Sequence, residues 1–170
     1  MLVDLINTPN QDGTRLDGAL FTPPPDVGRQ GPVDAVLLSH GSGGNFYNHA
    51  TLEMAEDLRG HGYTCLALNT IAHDVVWPNP TDGSYQGTAY EILDHTAQDV
   101  KAGIDYLADL GYRNIAIIGH SMGAVRVAYY AATQEDQRVV AVIPVSPVRL
   151  SSSYYLASED AEEFQLIMQK

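Results

Sequence analysis

The chain reads as an α/β protein: a mostly parallel, twisted sheet with helices on both faces. Three observations predict it. Unbroken apolar runs such as Ala35-Val36-Leu37-Leu38 and Ile115-Ala116-Ile117-Ile118 suit parallel strands covered on both sides. Segments with helical spacing alternate with these runs. Glycine-rich turns follow two of the runs directly, at residues 41–44 and 119–123.

Taken in order, residues 2–6 and 15–21 are expected to be strands, separated by a turn-rich stretch at 7–13. Pro23-Pro24-Pro25 makes a stiff connection. After the strand at 35–38, Thr51 is expected to cap a helix carrying Leu52, Ala55 and Leu58, stopped by Gly60 and Gly62. Residues 64–68 form the next strand, and 69–88, rich in Pro, Asn, Asp and Gly, a loop. A helix over 90–110 shows Leu93, Ala97, Val100, Ile104 and Leu107 on one face, with Gly111 as its stop. The strand at 115–118, a helix over 124–132 and a strand at 139–145 follow. Residues 151–153 read as loop and 158–168 as helix.

The 170 residues predict one domain, 1–170, large enough to bury a core. Nine basic residues stand against twenty-one acidic ones, a net charge of −12. Such a chain is repelled by phosphate backbones and anionic lipid, which argues against nucleic-acid and membrane partners. Cys65 is the one cysteine, so no internal disulfide forms. With no basic, apolar leader at the start, a cytoplasmic location is expected. No apolar run approaches the roughly 18 residues of a membrane span.

The chemistry concentrates at Gly119-His120-Ser121-Met122-Gly123. A β-branched strand runs into it and a helix leaves it. The flanking glycines permit a tight turn, which lifts the Ser121 hydroxyl clear of the sheet as a nucleophile. A second element, His40-Gly41-Ser42-Gly43-Gly44, follows the 35–38 strand. Glycine-rich backbone there can turn bare N–H groups into a cleft. Acyl transfer builds negative charge on a carbonyl oxygen, and two such donors stabilise it. The expected donors are the backbone N–H groups of Ser42 and Met122, with the helix dipole helping at the same point. A dinucleotide reading fails because Phe46 stands where a third glycine or alanine belongs. No His, Cys, Asp or Glu grouping has metal-ligand spacing, so no metal or cofactor is expected.

Strand–His-Gly-Ser-Gly-Gly, helix, strand, long helix, strand–Gly-His-Ser-Met-Gly, helix, strand resembles the α/β-hydrolase family. The likeness covers essentially the whole chain, matched to roughly the first two-thirds of that fold. It implies an esterase-like serine hydrolase acting on small carboxylic esters, with Ser121 as nucleophile and Ser42 and Met122 as oxyanion donors. His40 and His120 match motif positions that shape turns rather than transfer protons.

The family orders its triad as Ser, then acid, then His. All six histidines here (40, 49, 61, 73, 95 and 120) precede Ser121. The carboxylates after Asp136 (Glu159, Asp160, Glu162 and Glu163) read as a solvated helix face. His73 borders the cleft by its place after a strand, but its neighbour Asp74 is expected to point away from it. The reading is therefore a family fold stopped after its sixth strand, lacking the late acid and histidine. A non-catalytic ligand-binding module is the competing reading. In that order Val139-Val140-Ala141-Val142-Ile143 becomes a bare, uncharged sheet edge, through which copies are expected to associate.

Overall fold

The computed structural model describes residues 3–79, 82–151, 157, 161, 162 and 165. Six strands form one sheet: β1 (Asp4–Pro9), β2 (Arg15–Phe21), β3 (Ala35–Ser39), β4 (Thr64–Leu68) and, past a short β5–β6 hairpin (Trp77–Pro78, Tyr85–Gln86), β7 (Ile115–His120) and β8 (Val139–Val145). Their spatial order is β1-β2-β4-β3-β7-β8. The first three pair antiparallel and the rest parallel. The mostly parallel α/β expectation holds.

β3 and β4 are buried at every position, because helices cover both faces of the sheet. Alternate side chains divide accordingly. Leu37, Leu66, Ile115 and Ile117 pack into one core with Val100, Ile104 and Leu107 of α2 (Leu93–Asp109) and Val127 and Tyr130 of α3 (Met122–Thr133). Val36, Leu38, Cys65, Ala116 and Ile118 pack into the other with Ala55 of α1 (His49–Gly60). Cys65 is a buried free thiol, and burial pushes it up to about 12.

Several boundaries differ from expectation, each for a local reason. β1 runs to Pro9, pairing Asn7, Thr8 and Pro9 with Asp17, Leu16 and Arg15. As an edge strand it tolerates the proline. The turn shrinks to the stretch after Asn10, whose side-chain oxygen accepts from the N–H groups of Asp12 and Thr14. α1 is capped by Asn48, whose Oδ1 accepts from Thr51 N at 2.9 Å, so the helix begins ahead of Thr51. The 69–88 loop holds β5, β6 and a 3₁₀ turn over Thr88–Tyr90, and α2 starts only at Leu93. Most of the expected C-terminal helix, with Glu159, Asp160 and Glu163, lies outside the described residues, as do Ser152 and Ser153.

Candidate active site

The C-terminal ends of the parallel strands share one edge of the sheet, where ligands bind in folds of this class. Ser121 sits there, between β7 and α3. Its backbone has φ 57° and ψ −119°, a conformation that costs a non-glycine residue on the order of 1–3 kcal/mol. The turn is held from outside by Ser121 N donating to Val145 O at 3.0 Å. Ser121 occupies the N-cap position of α3, yet its side chain makes no capping bond. The hydroxyl is thus not consumed by the helix, and the residue is half-buried rather than enclosed in the core.

Both glycines of the motif are dictated by backbone contact. A Cβ on Gly119 would lie 2.1 Å from Gly123 O, and one on Gly123 would lie 2.3 Å from Ser39 O and 2.6 Å from His40 O. The first turn of α3 therefore rests directly on the peptide that opens the 41–44 loop. A Cβ at Gly41 would lie 3.2 Å from Ser121 Cβ, so the loop and the serine are neighbours.

Within that loop the hydrogen bonds are allotted as follows. Gly44 N donates to Gly41 O at 3.1 Å, and Gly43 N to Thr88 Oγ1 at 2.7 Å. Among the described residues neither Ser42 N nor Met122 N donates to any protein group. Met122 opens α3, where unpaired N–H groups and the helix dipole favour an anion.

The histidines separate by environment. His40 is buried; its Nδ1 lies 2.8 Å from Gly41 O, and its Nε2 accepts from Thr70 N at 3.2 Å. Burial, then the nearby Arg126 charge, pushes it down to about 3. It is a neutral structural group bracing the loop. His61 bonds Asp57 O, and His49 pairs with Glu53 on the surface; His95 and His120 are exposed. No described side chain hydrogen-bonds the Ser121 hydroxyl.

The expectation about His73 is corrected. Its Nδ1 lies 2.8 Å from Asp74 Oδ2, and its ring stacks on Trp77 at 4.4 Å. Adjacent side chains meet because Asp74 has φ 54°, which swings its carboxylate back toward residue 73. Asp74 also accepts from Asn45 Nδ2 at 2.9 Å, and its N–H donates to Gly44 O at 2.8 Å. Burial raises this carboxyl, but the bonds from Asn45 and His73 outweigh it and hold it below the ordinary range. The pair thus flanks the 41–44 loop on the side of β4.

Sequence reasoning missed the polar layer beneath the loop. Arg126, fully buried on α3, makes a two-pronged bond to Glu91 at 2.7 and 2.8 Å and donates to His40 O at 2.7 Å. Asp99 on α2 is also buried, accepting from Asn10 Nδ2 and Ile71 N; burial pushes it up to about 7. The available signal was that Arg126 is the one charge in an otherwise apolar helix. Among the described residues no group of three or more His, Cys, Asp or Glu is placed to hold a metal ion, and no helix is long and apolar enough to cross a membrane.

Comparison with known proteins supports the fold. A family model described as alpha/beta hydrolase fold matches residues 34–167. Among solved structures, the alpha/beta hydrolase GrgF of Penicillium sp. sh18 matches 99% of this chain and 52% of its own, at 20% identity and a TM-score of 0.73. Est1E of Butyrivibrio proteoclasticus, solved with ferulic acid bound, matches 89% of this chain and 57% of its own, at 23% identity and a TM-score of 0.68. The esterase Pf2001 of Pyrococcus furiosus matches 86% and 51%, at 23% identity and a TM-score of 0.63. The chain thus spans about half the length of these structures. Comparison with curated proteins gives no match.

Proposed function

The chain belongs to the alpha/beta hydrolase fold family, and from that premise we propose that it carries the nucleophile half of a serine hydrolase acting on small carboxylic esters. The supporting observation is the Ser121 turn: a hydroxyl spared from capping, at φ 57°, beside a loop and a helix start that leave the Ser42 and Met122 N–H groups unpaired among the described residues. In the proposed reaction Ser121 Oγ attacks the ester carbonyl and gives its proton to a base. The carbonyl oxygen takes the negative charge and the two N–H groups stabilise it. The alcohol leaves with a proton, giving an acyl-enzyme. Water then attacks the acyl group, releases the acid and restores the hydroxyl.

The proton-transfer partners are the unassigned part of this reading. A specific observation favours the rival, a ligand-binding module without chemistry: every described histidine is engaged elsewhere or exposed, and none bonds Ser121. Loss of a triad member leaves only about 10³–10⁴-fold over water. Treatment with a fluorophosphonate followed by intact-mass measurement decides between them. A single adduct on the wild type, absent from Ser121→Ala, is the expected result. Well-folded protein that takes no adduct supports the binding module instead. We further infer that copies of the chain associate along β8, which among the described residues pairs only with β7 and whose side chains carry no charge.

A further inference from the structure

The buried ion pair between α3 and the segment ahead of α2 performs no part of the reaction as described, and its contacts converge on one peptide. We propose that Arg126 and Glu91 are positioning residues that set the 41–44 loop against Ser121, an inference that rests on the reading of that loop as the oxyanion site. Arg126 lies on α3, five residues after Ser121 at its N-cap. Its Nη1 donates to His40 O at 2.7 Å, while Nε and Nη2 are held by the two Glu91 oxygens at 2.7 and 2.8 Å.

Glu91 belongs to the turn that also grips the loop directly. Glu91 N donates to Thr88 O, and Thr88 Oγ1 accepts from Gly43 N at 2.7 Å while donating to Ala72 O at 2.9 Å. One turn thus holds the loop at two points: at Gly43 through Thr88, and at the His40 carbonyl through Glu91 and Arg126. The His40 ring and Gly44 N both bond Gly41 O, and among the described residues Ser42 N–H donates to no protein group.

Energetics favour a geometric role. A buried ion pair loses so much hydration that apolar residues of like volume often stabilise as well or better. A planar guanidinium does what they cannot. It fixes one carbonyl at a defined angle while its other edge is clamped by a carboxylate.

The test uses the double variant Arg126→Met with Glu91→Leu, which leaves no unpaired buried charge. Amide hydrogen exchange is followed by NMR, in parallel with the rate of fluorophosphonate labelling at Ser121. The expected result is cooperative unfolding retained, exchange at Gly43 and Gly44 faster by about tenfold or more, and the β1–β2 ladder unchanged. Labelling should slow by a similar factor. Arg126→Lys keeps a donor for His40 O and should lie between wild type and the double variant. A folded double variant whose Gly43 and Gly44 exchange matches wild type overturns the proposal. If the double variant does not fold, Glu91→Gln reads the same amides, and unchanged exchange there overturns it equally. Wild type that takes no label refutes the hydrolase reading alone, since the exchange experiment needs no chemistry.

Discussion

Ile117 and Val142 face each other across the β7–β8 register, yet Ile117 is 0% exposed and Val142 is 37% exposed. Their strands are much alike in composition: Ile-Ala-Ile-Ile against Val-Val-Ala-Val-Ile. β7 has β3 on one side, β8 on the other, and a core on each face. β8 has only β7 beside it among the described residues, and Val140 and Ile143 are 46% and 44% exposed. Apolar runs at consecutive positions record burial on both faces. Position in the sheet decides whether that burial is supplied. The centre also carries buried ionisable groups, the Arg126–Glu91 ion pair and Asp99, whereas β8 has none from Val139 to Val145.

The sharpest way to break the comparison is to place the same cation on both partners. Ile117→Lys buries an unpaired ammonium against Leu37, Ile104 and Val127 and is expected to cost more than about 4 kcal/mol, enough to abolish folding in a domain of ordinary stability. Urea denaturation followed by circular dichroism measures it. A folded Ile117→Lys protein with an unchanged midpoint would show that the centre is no drier than the edge.

The same contrast explains what was legible in the sequence. β3, β4 and β7 were plain as unbroken apolar runs because both faces are covered. The Ser121 turn was plain because only glycine fits at 119 and 123, where backbone comes within 2.1–2.3 Å of a would-be Cβ. The start of α1 was misplaced because Asn48 and Thr51 are both capping types, and only the backbone tells which one caps. The His73–Asp74 contact was illegible, since it depends on a left-handed φ at residue 74. Arg126 and Glu91 lie 35 residues apart, and no local pattern joins them.

A smaller effect probes how dry the centre is. Asp99 is raised from an ordinary 3.8 to about 7 by burial. Between those values the folded state binds more protons than the unfolded one, so stability falls as pH rises. His40 is lowered from 6.5 to about 3, so its contribution rises with pH between those values. The two slopes oppose each other, and wild-type stability should be nearly flat from about pH 4 to 6.5. Asp99→Asn removes one of them. Its stability is expected to climb with pH across that window, by at most ~1.4 kcal/mol per unit. Asp136, held down to about 2 chiefly by Arg138, acts at lower pH and does not interfere. Urea midpoints at four pH values read the difference. Wild-type stability that climbs with pH as steeply as that of Asp99→Asn would mean that Asp99 is already ionised in the fold.

The smallest expected effect on stability completes the pair. Val142→Lys puts the cation where water can reach it, on a strand with one neighbour among the described residues, and should change the unfolding free energy by less than about 1 kcal/mol. Its consequence should appear in association. An edge strand of uncharged, mostly β-branched residues offers unpaired backbone groups to a second copy, and a lysine at mid-strand places like charges against each other in such a pairing. Sedimentation velocity over a concentration series is expected to show self-association of wild type and a clear shift to monomer in Val142→Lys. Wild type that is monomeric at every concentration would remove the inferred contact. Wild type and variant that associate equally would move it to another surface and leave the contrast between Ile117 and Val142 as one of burial alone.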